Sequence, residues 1–361
     1  MDIMQIDKNF YFETSIKEPD IEWKNISECQ FNRYGLIVPD QEEDFYRRIP
    51  TTLANSINDG VAMFCKSPAG GRVRFCTNAK YIAIHAEMFN VKAMSHFATT
   101  GVSGFDMYVY DENEGREKYV GVFRPEYNIK DGYETIIRLP QKGYRTYTIN
   151  FPLYSGVKAL YIGTPKDSDY SEPRKYRYEA PVVYYGSSIT QGACVSRPGN
   201  AYEAILSRMC DCNFINLGFA GSALGEKEMA EYISLLDMSV FVLDYDHNAP
   251  TPEYLRETHY PFYKIIREKN PELPIIMVTR PALDREYAKP RYDVIKETYE
   301  TAKKNGDKNV YFVDGGTFYQ DFAGDSATVD GTHPNDLGFM CIAKAIEPVL
   351  KEALKFDDFK V

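Results

Sequence analysis

The sequence predicts two units of different class. An antiparallel β-sandwich, jelly-roll-like, is expected over residues 1–172. An α/β unit, a parallel sheet between two layers of helices, is expected over residues 173–361. Two observations carry this. Up to about residue 172, short segments of alternating, β-branched or aromatic character follow one another with turn residues between them. From Pro181 onward, short apolar runs alternate with helical segments, and such alternation needs the crossover connections of a parallel sheet. A length of 361 residues is too great for one ordinary core and suits two.

In the first unit, strands are expected at 81–89, 105–111, 118–125, 133–140, 145–152 and 159–163. Turns are marked by Asp111-Glu112-Asn113-Glu114-Gly115, Lys130-Asp131-Gly132 and Gln141-Lys142-Gly143. The stretch before residue 50 shows no clear pattern, and Ala69-Gly70-Gly71 reads as a loop. Residues 164–180 are polar, charged and hold two prolines, which is linker chemistry. In the second unit, strands are expected at Val182–Tyr185, Asn213–Leu217, Val240–Tyr245, Leu273–Thr279 and Val310–Val313. Helices fall near 200–210, 225–236, 252–269 and 290–304. A last helix over 338–354 places Phe339, Ile342, Ile346, Val349, Leu350 and Leu354 on one face.

Composition removes several classes of function. A formal net charge of −10 and a pI near 5.2 argue against a nucleic-acid partner and against an anionic membrane surface. No window approaches 18 apolar residues, so no membrane span is expected. The seven cysteines form an odd count without a C-x-x-C pair, which reads as free thiols in a reducing compartment. The N-terminus MDIMQIDKNF carries no basic segment followed by an apolar run. A cytoplasmic protein is therefore expected, or a secreted one if a leader has been removed. Assembly into a homo-oligomer is left open.

The chemistry centres on PVVYYGSSITQGACVSRPGN, residues 181–200. An apolar strand ends at Gly186, and serines follow at the carboxyl edge, where α/β sheets place reacting groups. Ser188 reads as a nucleophile, the alternative being a polar turn. A serine needs a base, and the base an orienting carboxylate. Of the five histidines, His85 and His96 lie in the β-rich half and His259 inside a helical pattern, leaving His247 and His333. In Asp330-Gly331-Thr332-His333-Pro334, a short loop can fold Asp330 onto the imidazole and leave the other ring nitrogen for Ser188. A solvated His333, with Asp336 capping the last helix, is the plainer alternative. Oxyanion donors are expected from other strand ends: the Gly221 N–H in Asn216-Leu217-Gly218-Phe219-Ala220-Gly221-Ser222, and the amide of Asn248. Asp244, Asp246 and His247 could suggest a metal, but no second histidine cluster completes a site. Arg197 is a candidate for substrate contact, with a surface arginine or an interdomain contact as the favoured alternative.

Four stretches, Gly186–Thr190, Asn216–Ser222, Asp246–Ala249 and Asp330–Pro334, together resemble the Ser, Gly, Asn and His blocks of the SGNH/GDSL hydrolase superfamily. The usual Gly-Asp-Ser appears as Gly186-Ser187-Ser188, and the usual Gly-x-Asn-Asp as Asp246-His247-Asn248-Ala249. Gly104-Phe105-Asp106-Met107-Tyr108 is similar to the G-x-D-L-Y motif of a subgroup that carries a β-sandwich before the hydrolase domain. The resemblance implies an SGNH-type three-layer domain with Ser188, Asp330 and His333 catalytic. It implies an oxyanion hole of Ser188, Gly221 and Asn248, and no metal or cofactor. It further implies a serine esterase that removes small O-acyl groups, acetyl above all, from a carbohydrate. The expected partner is a small-molecule or oligosaccharide ester. An acyltransferase using the same residues, a short-chain lipase, and a decayed hydrolase half serving a functional sandwich are the alternatives.

Overall fold

In the computed structural model, residues 16–140, 143–320 and 324–356 are described. Part of the turn expected at Gln141-Lys142-Gly143 and the first 15 residues of the expected sandwich lie outside them. The chain opens with β1 (Ile21–Asn25) and β2 (Asn32–Tyr34). Helices α1 (Thr51–Ile57) and α2 (Asp59–Phe64) come next, followed by β3 (Arg72–Thr77), β4 (Tyr81–Phe89) and the short α3 (Thr99–Val102). β5 (Phe105–Asp111), β6 (Arg116–Phe123), β7 (Gly132–Arg138), β8 (Arg145–Asn150), β9 (Gly156–Pro165) and β10 (Tyr170–Ser171) complete the β-rich part. They form two antiparallel sheets, β1-β9-β4-β7 and β10-β3-β8-β5-β6, with β2 paired to β3. One core lies between them, built from alternate residues such as Val73 and Phe75, Ile82 and Ile84, Phe105 and Met107, and Leu160 and Ile162. The β-sandwich expected from the alternation is present.

The second part alternates strand and helix: β11 (Tyr178–Gly186), α4 (Ser188–Gln191), α5 (Tyr202–Cys210), β12 (Cys212–Gly218), α6 (Lys227–Ser234) and β13 (Val240–Asp244). α7 (Pro252–Lys269), β14 (Ile275–Val278), α8 (Arg285–Lys304), β15 (Val310–Val313) and α9 (Asp336–Ala353) follow. The five strands are parallel in the order β12-β11-β13-β14-β15. Both faces are covered, so the central runs Val182–Tyr185, Val240–Leu243 and Ile275–Val278 are apolar without alternation. Val182, Tyr184, Val240 and Val242 pack with Phe339, Ile342, Ile346 and Leu350 of α9 on one side. Val183, Tyr185, Phe241 and Leu243 pack with Met229, Leu255, Phe262 and Val294 on the other. No described helix is long and apolar enough to cross a membrane.

The two parts share their cores. Ala54 and Val61 of α1 and α2 join the second face of the parallel sheet, while Phe97, Val102, Leu153 and Tyr154 join the first. The stretch expected as linker is largely ordered: β9 runs to Pro165, Tyr170–Ser171 pairs with β3, and Tyr176 is buried. The outer edge of β12 would offer unpaired carbonyls, and sheet edges need covering. Two buried arginines from the first part cover it. Arg48 donates to the carbonyls of Asn216 and Gly218, and Arg72 to the carbonyl of Phe214 at 3.1 Å and the Asn213 side chain at 2.6 Å. A guanidinium carries five donors in a fixed fork, so two of them can stand in for a neighbouring strand.

Asp106 ties the parts together elsewhere. It is fully buried; one oxygen accepts from the Asn150 amide at 2.9 Å, the other from the Gly199 N–H at 2.9 Å, and Arg197 lies 3.4 Å away. Burial pushes its carboxyl up, opposed by the Asn150 amide and Arg197. Asp106→Ala would leave the Gly199 N–H and the Asn150 amide buried without their carboxylate. Breaking a buried charged network of this kind costs about 3–5 kcal/mol, and urea unfolding is expected to show a loss of that size.

Candidate active site

In the order β12-β11-β13-β14-β15, the connections leaving β11 and β13 go to opposite sides, the topology at which open α/β sheets gather ligands at the carboxyl ends of their strands. Gly186 is level with Gly218 on one side and Asp244 on the other. Three loops therefore start side by side: Ser187–Ser188 from β11, Phe219–Ser222 from β12 and Tyr245–Ala249 from β13. Gly218 is required for their approach. A Cβ there would sit 2.3 Å from the Gln191 backbone nitrogen, inside the turn that carries Ser188.

Ser187 is the N-cap of α4, its hydroxyl accepting from the Ile189 N–H at 3.2 Å. A hydroxyl thus does the capping that an acidic residue could do at this position. Ser188 is half-buried, with its Oγ 3.0 Å from His333 Nε2. His333 sits in a loop closed by its own carbonyl, which accepts from the Val329 N–H at 2.9 Å. Asp330 Oδ2 lies 2.8 Å from His333 Nδ1, and Oδ1 accepts from the N–H groups of His333 at 2.7 Å and Thr332 at 3.0 Å. Partial burial pushes this carboxyl up, but the His333 ring and the two backbone donors outweigh it and lower it to about 2. A charged Asp330 fixes the proton on Nδ1 and leaves the Nε2 lone pair for the Ser188 hydroxyl.

Gly221 and Asn248 stand on the flanking strand ends. Asn248 Nδ2 donates to the Phe219 carbonyl at 2.9 Å, which fixes the amide plane and joins the two loops. An amide has a second hydrogen, which meets no acceptor among the described residues. Gly221 has φ +64, a left-handed conformation suited to glycine, and among the described residues its N–H meets no acceptor. Arg197 is not brought to the Ser188–His333 pair. It lies against Asp106 and under the Tyr119 ring at 4.1 Å, the contact between the two parts. The last helix is capped by Asn335, whose side chain accepts from Leu337 and Gly338, rather than by Asp336. Asp336 instead accepts from the Ser196 N–H at 2.8 Å and the Ser196 hydroxyl. His259 is buried in α7 beside Thr298 and is held neutral, its ring lowered to about 3 by burial.

Several residues at the site carry no signal in the sequence pattern. Gln191 donates to the Leu153 carbonyl at 3.1 Å and accepts from the Ala220 N–H at 3.0 Å, joining the first part, the Ser188 turn and the Gly221 loop. Asn216 Nδ2 donates to the Thr190 carbonyl at 2.6 Å from inside β12. His96, from the loop after β4, has its ring centroid 6.0 Å from that of His333. Cys194 is buried at φ +75, and burial, with the Asp330 charge, raises its thiol to about 11.

Beneath Asn248 lies a buried acidic pair. Asp244 accepts from Tyr202 at 3.0 Å and Thr190 at 3.2 Å, and burial holds it well above the usual carboxylate range. Asp246 accepts from the Arg280 N–H at 3.1 Å, and Oδ1 has no partner among the described residues. Arg280 also donates to His247 Nε2 at 3.3 Å, and burial, then Arg280, lowers that ring to about 3, so it accepts as a neutral imidazole. Burial raises Asp246 to about 6 against the pull of Arg280. A raised folded-state value stabilises below the unfolded value near 4, and the contribution is lost as pH rises through about 6. Asp246→Asn is therefore expected to raise the unfolding free energy at pH 7.5 relative to that at pH 4.5 by about 2 kcal/mol compared with the parent chain, read from urea titrations at both pH values.

Two family descriptions match the chain. Residues 179–351 match the GDSL-like lipase/acylhydrolase family, and residues 21–170 match the GxDLY N-terminus of SGNH hydrolase-type esterases. Among solved structures, a putative GDSL-like lipase from Bacteroides ovatus is similar at 28% identity and a TM-score of 0.82, covering 93% of this chain and 98% of that one. A salicylyl-acyltransferase from a tetracycline biosynthetic pathway shares the fold at 16% identity and a TM-score of 0.75, covering 94% and 99%. A family two carbohydrate esterase from Cellvibrio japonicus shares it at 11% identity and a TM-score of 0.60, covering 93% and 98%. No curated protein matches the sequence.

Proposed function

The chain belongs to the SGNH/GDSL hydrolases in which a GxDLY-type N-terminal domain precedes the hydrolase domain, and on that premise we propose that it is a serine esterase removing small O-acyl groups, acetyl first, from a carbohydrate. The observation that carries this is the Ser188–His333–Asp330 chain of contacts, 3.0 Å and 2.8 Å long, at the carboxyl edge of the parallel sheet. In this reading His333 Nε2 takes the Ser188 proton as Oγ attacks the ester carbonyl. The oxyanion is held by the Ser188 and Gly221 N–H groups and the free hydrogen of the Asn248 amide. The imidazolium that forms faces the Asp330 carboxylate and returns its proton to the leaving alcohol. Water then repeats the sequence to release the acid.

A cavity of about 330 Å³ is lined by Arg280, Arg285, Glu286, Lys289 and Asp314 among others, and Arg280 also donates to His247. Carbohydrate esterases of family two share this fold, and the carbohydrate part of the proposal follows them. Hydrolysis of 4-nitrophenyl acetate, butyrate and octanoate tests the reading. Acetate is expected to be preferred; preference for octanoate would replace the reading with a lipase. Product analysis with an alcohol acceptor present separates hydrolysis from acyl transfer.

A further inference from the structure

His96, Cys194 and His333 each offer a ligand atom, and these three atoms lie within 4.8 Å of one another. Two imidazoles and a thiol are the donor set of borderline and soft divalent cations, not of magnesium or calcium, which take oxygen ligands. The cluster is held from both parts of the chain. The His96 loop is anchored by Phe97, which packs on Tyr154, and by the Thr100 hydroxyl, which donates to the Ser196 carbonyl at 2.5 Å. Cys194 is buried, with a left-handed backbone at φ +75 that a cysteine adopts only at a cost. The Asp330 carboxylate holds His333 Nδ1 at 2.8 Å, so Nε2 is the nitrogen left to bind a metal. A carboxylate behind the ring is also what metal-ligating histidines have as their outer partner. Nε2 is the same atom that meets Ser188 Oγ at 3.0 Å.

We propose that His96, Cys194 and His333 form an inhibitory site for one zinc-like divalent cation, which takes the nitrogen that Ser188 needs. Three protein ligands and an open fourth position satisfy tetrahedral zinc. On binding, the Cys194 S–H bond breaks, its sulfur bonds the metal, and one proton passes to solvent; no electron is transferred. The Ser188 hydroxyl loses its acceptor for as long as the metal stays. Inhibition rests on the reading of Ser188 and His333 as the reacting pair, whereas binding does not.

The test uses the full chain freed of metal with a chelator and desalted. Titration with cobalt(II) chloride is expected to give a thiolate-to-cobalt charge-transfer band that saturates at one equivalent and is absent in Cys194→Ser. Zinc chloride is expected to inhibit 4-nitrophenyl acetate hydrolysis reversibly. In His96→Gln and in Cys194→Ser, each normalised to its own metal-free rate, the zinc concentration for half-inhibition is expected to rise at least about tenfold. His96 is exposed on a loop, so its variant keeps the test open if Cys194→Ser does not fold. Absence of the cobalt band would overturn the site whether or not the protein hydrolyses esters. Equal zinc sensitivity in parent and variants, or saturable binding without loss of rate, would overturn the inhibitory role. A chain that binds cobalt as described but cleaves no ester keeps the metal site and loses the proposed activity.

Discussion

Ser188→Ala is expected to lower kcat on 4-nitrophenyl acetate by roughly ten-thousand- to million-fold, and His333→Ala by a similar factor. The reason is that the two groups act in one step. Without the hydroxyl there is no bond to the acyl carbon, and without Nε2 the hydroxyl keeps its proton. The double variant is accordingly expected to be no slower than either single one, because residues acting as a unit are not additive. Stability gives the control. Ser188 is half-buried and its Oγ meets only the His333 ring among the described residues, so Ser188→Ala is expected to change unfolding free energy by no more than about 1 kcal/mol. Full activity in Ser188→Ala would remove this serine from the reaction, and a fluorophosphonate that labels the parent but not the variant would place it there.

The fold was readable where one rule governed a strand and hidden where two competed. The strands of the parallel sheet are apolar because both faces are covered, and that is a plain signal. β3 has the sequence Arg72-Val-Arg-Phe-Cys-Thr77, in which Val73 and Phe75 face the sandwich core while Arg72 and Arg74 are buried on the opposite face. Buried arginines look like surface residues in a sequence, so the alternation gives no hint that both faces are covered. Helices α1 and α2 are short, and their apolar residues answer to the core of the other part, which no local period records. The site divides in the same way. Ser188, Gly221 and Asn248 follow recognisable strands, and His333 precedes the last helix. His96 and Gln191 act across the junction of the two parts, and their partners, His333 and Leu153, are far away in sequence.

The junction is made of specific hydrogen bonds from the sandwich to the loops of the hydrolase domain. Asp106, the acidic residue of the Gly104–Tyr108 motif, binds the Gly199 N–H in the loop that runs from Ser188 to α5. Arg48 holds the carbonyls at the end of β12, from which the Gly221 loop departs, and burial lowers its guanidinium to about 10, a sign of how little water reaches it. Leu153 receives Gln191. The sandwich therefore holds the loops on either side of Ser188 by direct hydrogen bonds.

Asp330→Asn is expected to lower kcat/KM by roughly a thousand- to ten-thousand-fold at pH 7, at the lower end because the Asp330 side chain is 38% exposed. The argument follows from which oxygen does what. Oδ1 accepts from the two backbone N–H groups of His333 and Thr332, and Oδ2 faces the ring. In the asparagine the backbone donors will keep the carbonyl oxygen on their side and turn the NH₂ towards His333 Nδ1. The ring nitrogen must then accept, its proton moves to Nε2, and Nε2 can no longer take the proton of Ser188. The loop keeps its shape while the base is in the wrong tautomer. If the carboxylate served only to hold the loop, the asparagine would retain most of the rate, because its oxygen can satisfy both backbone donors. A rate near that of the parent, with an unchanged melting temperature, would therefore reduce Asp330 to a structural role, and a loss of the expected size with an unchanged melting temperature would assign it to the proton transfer.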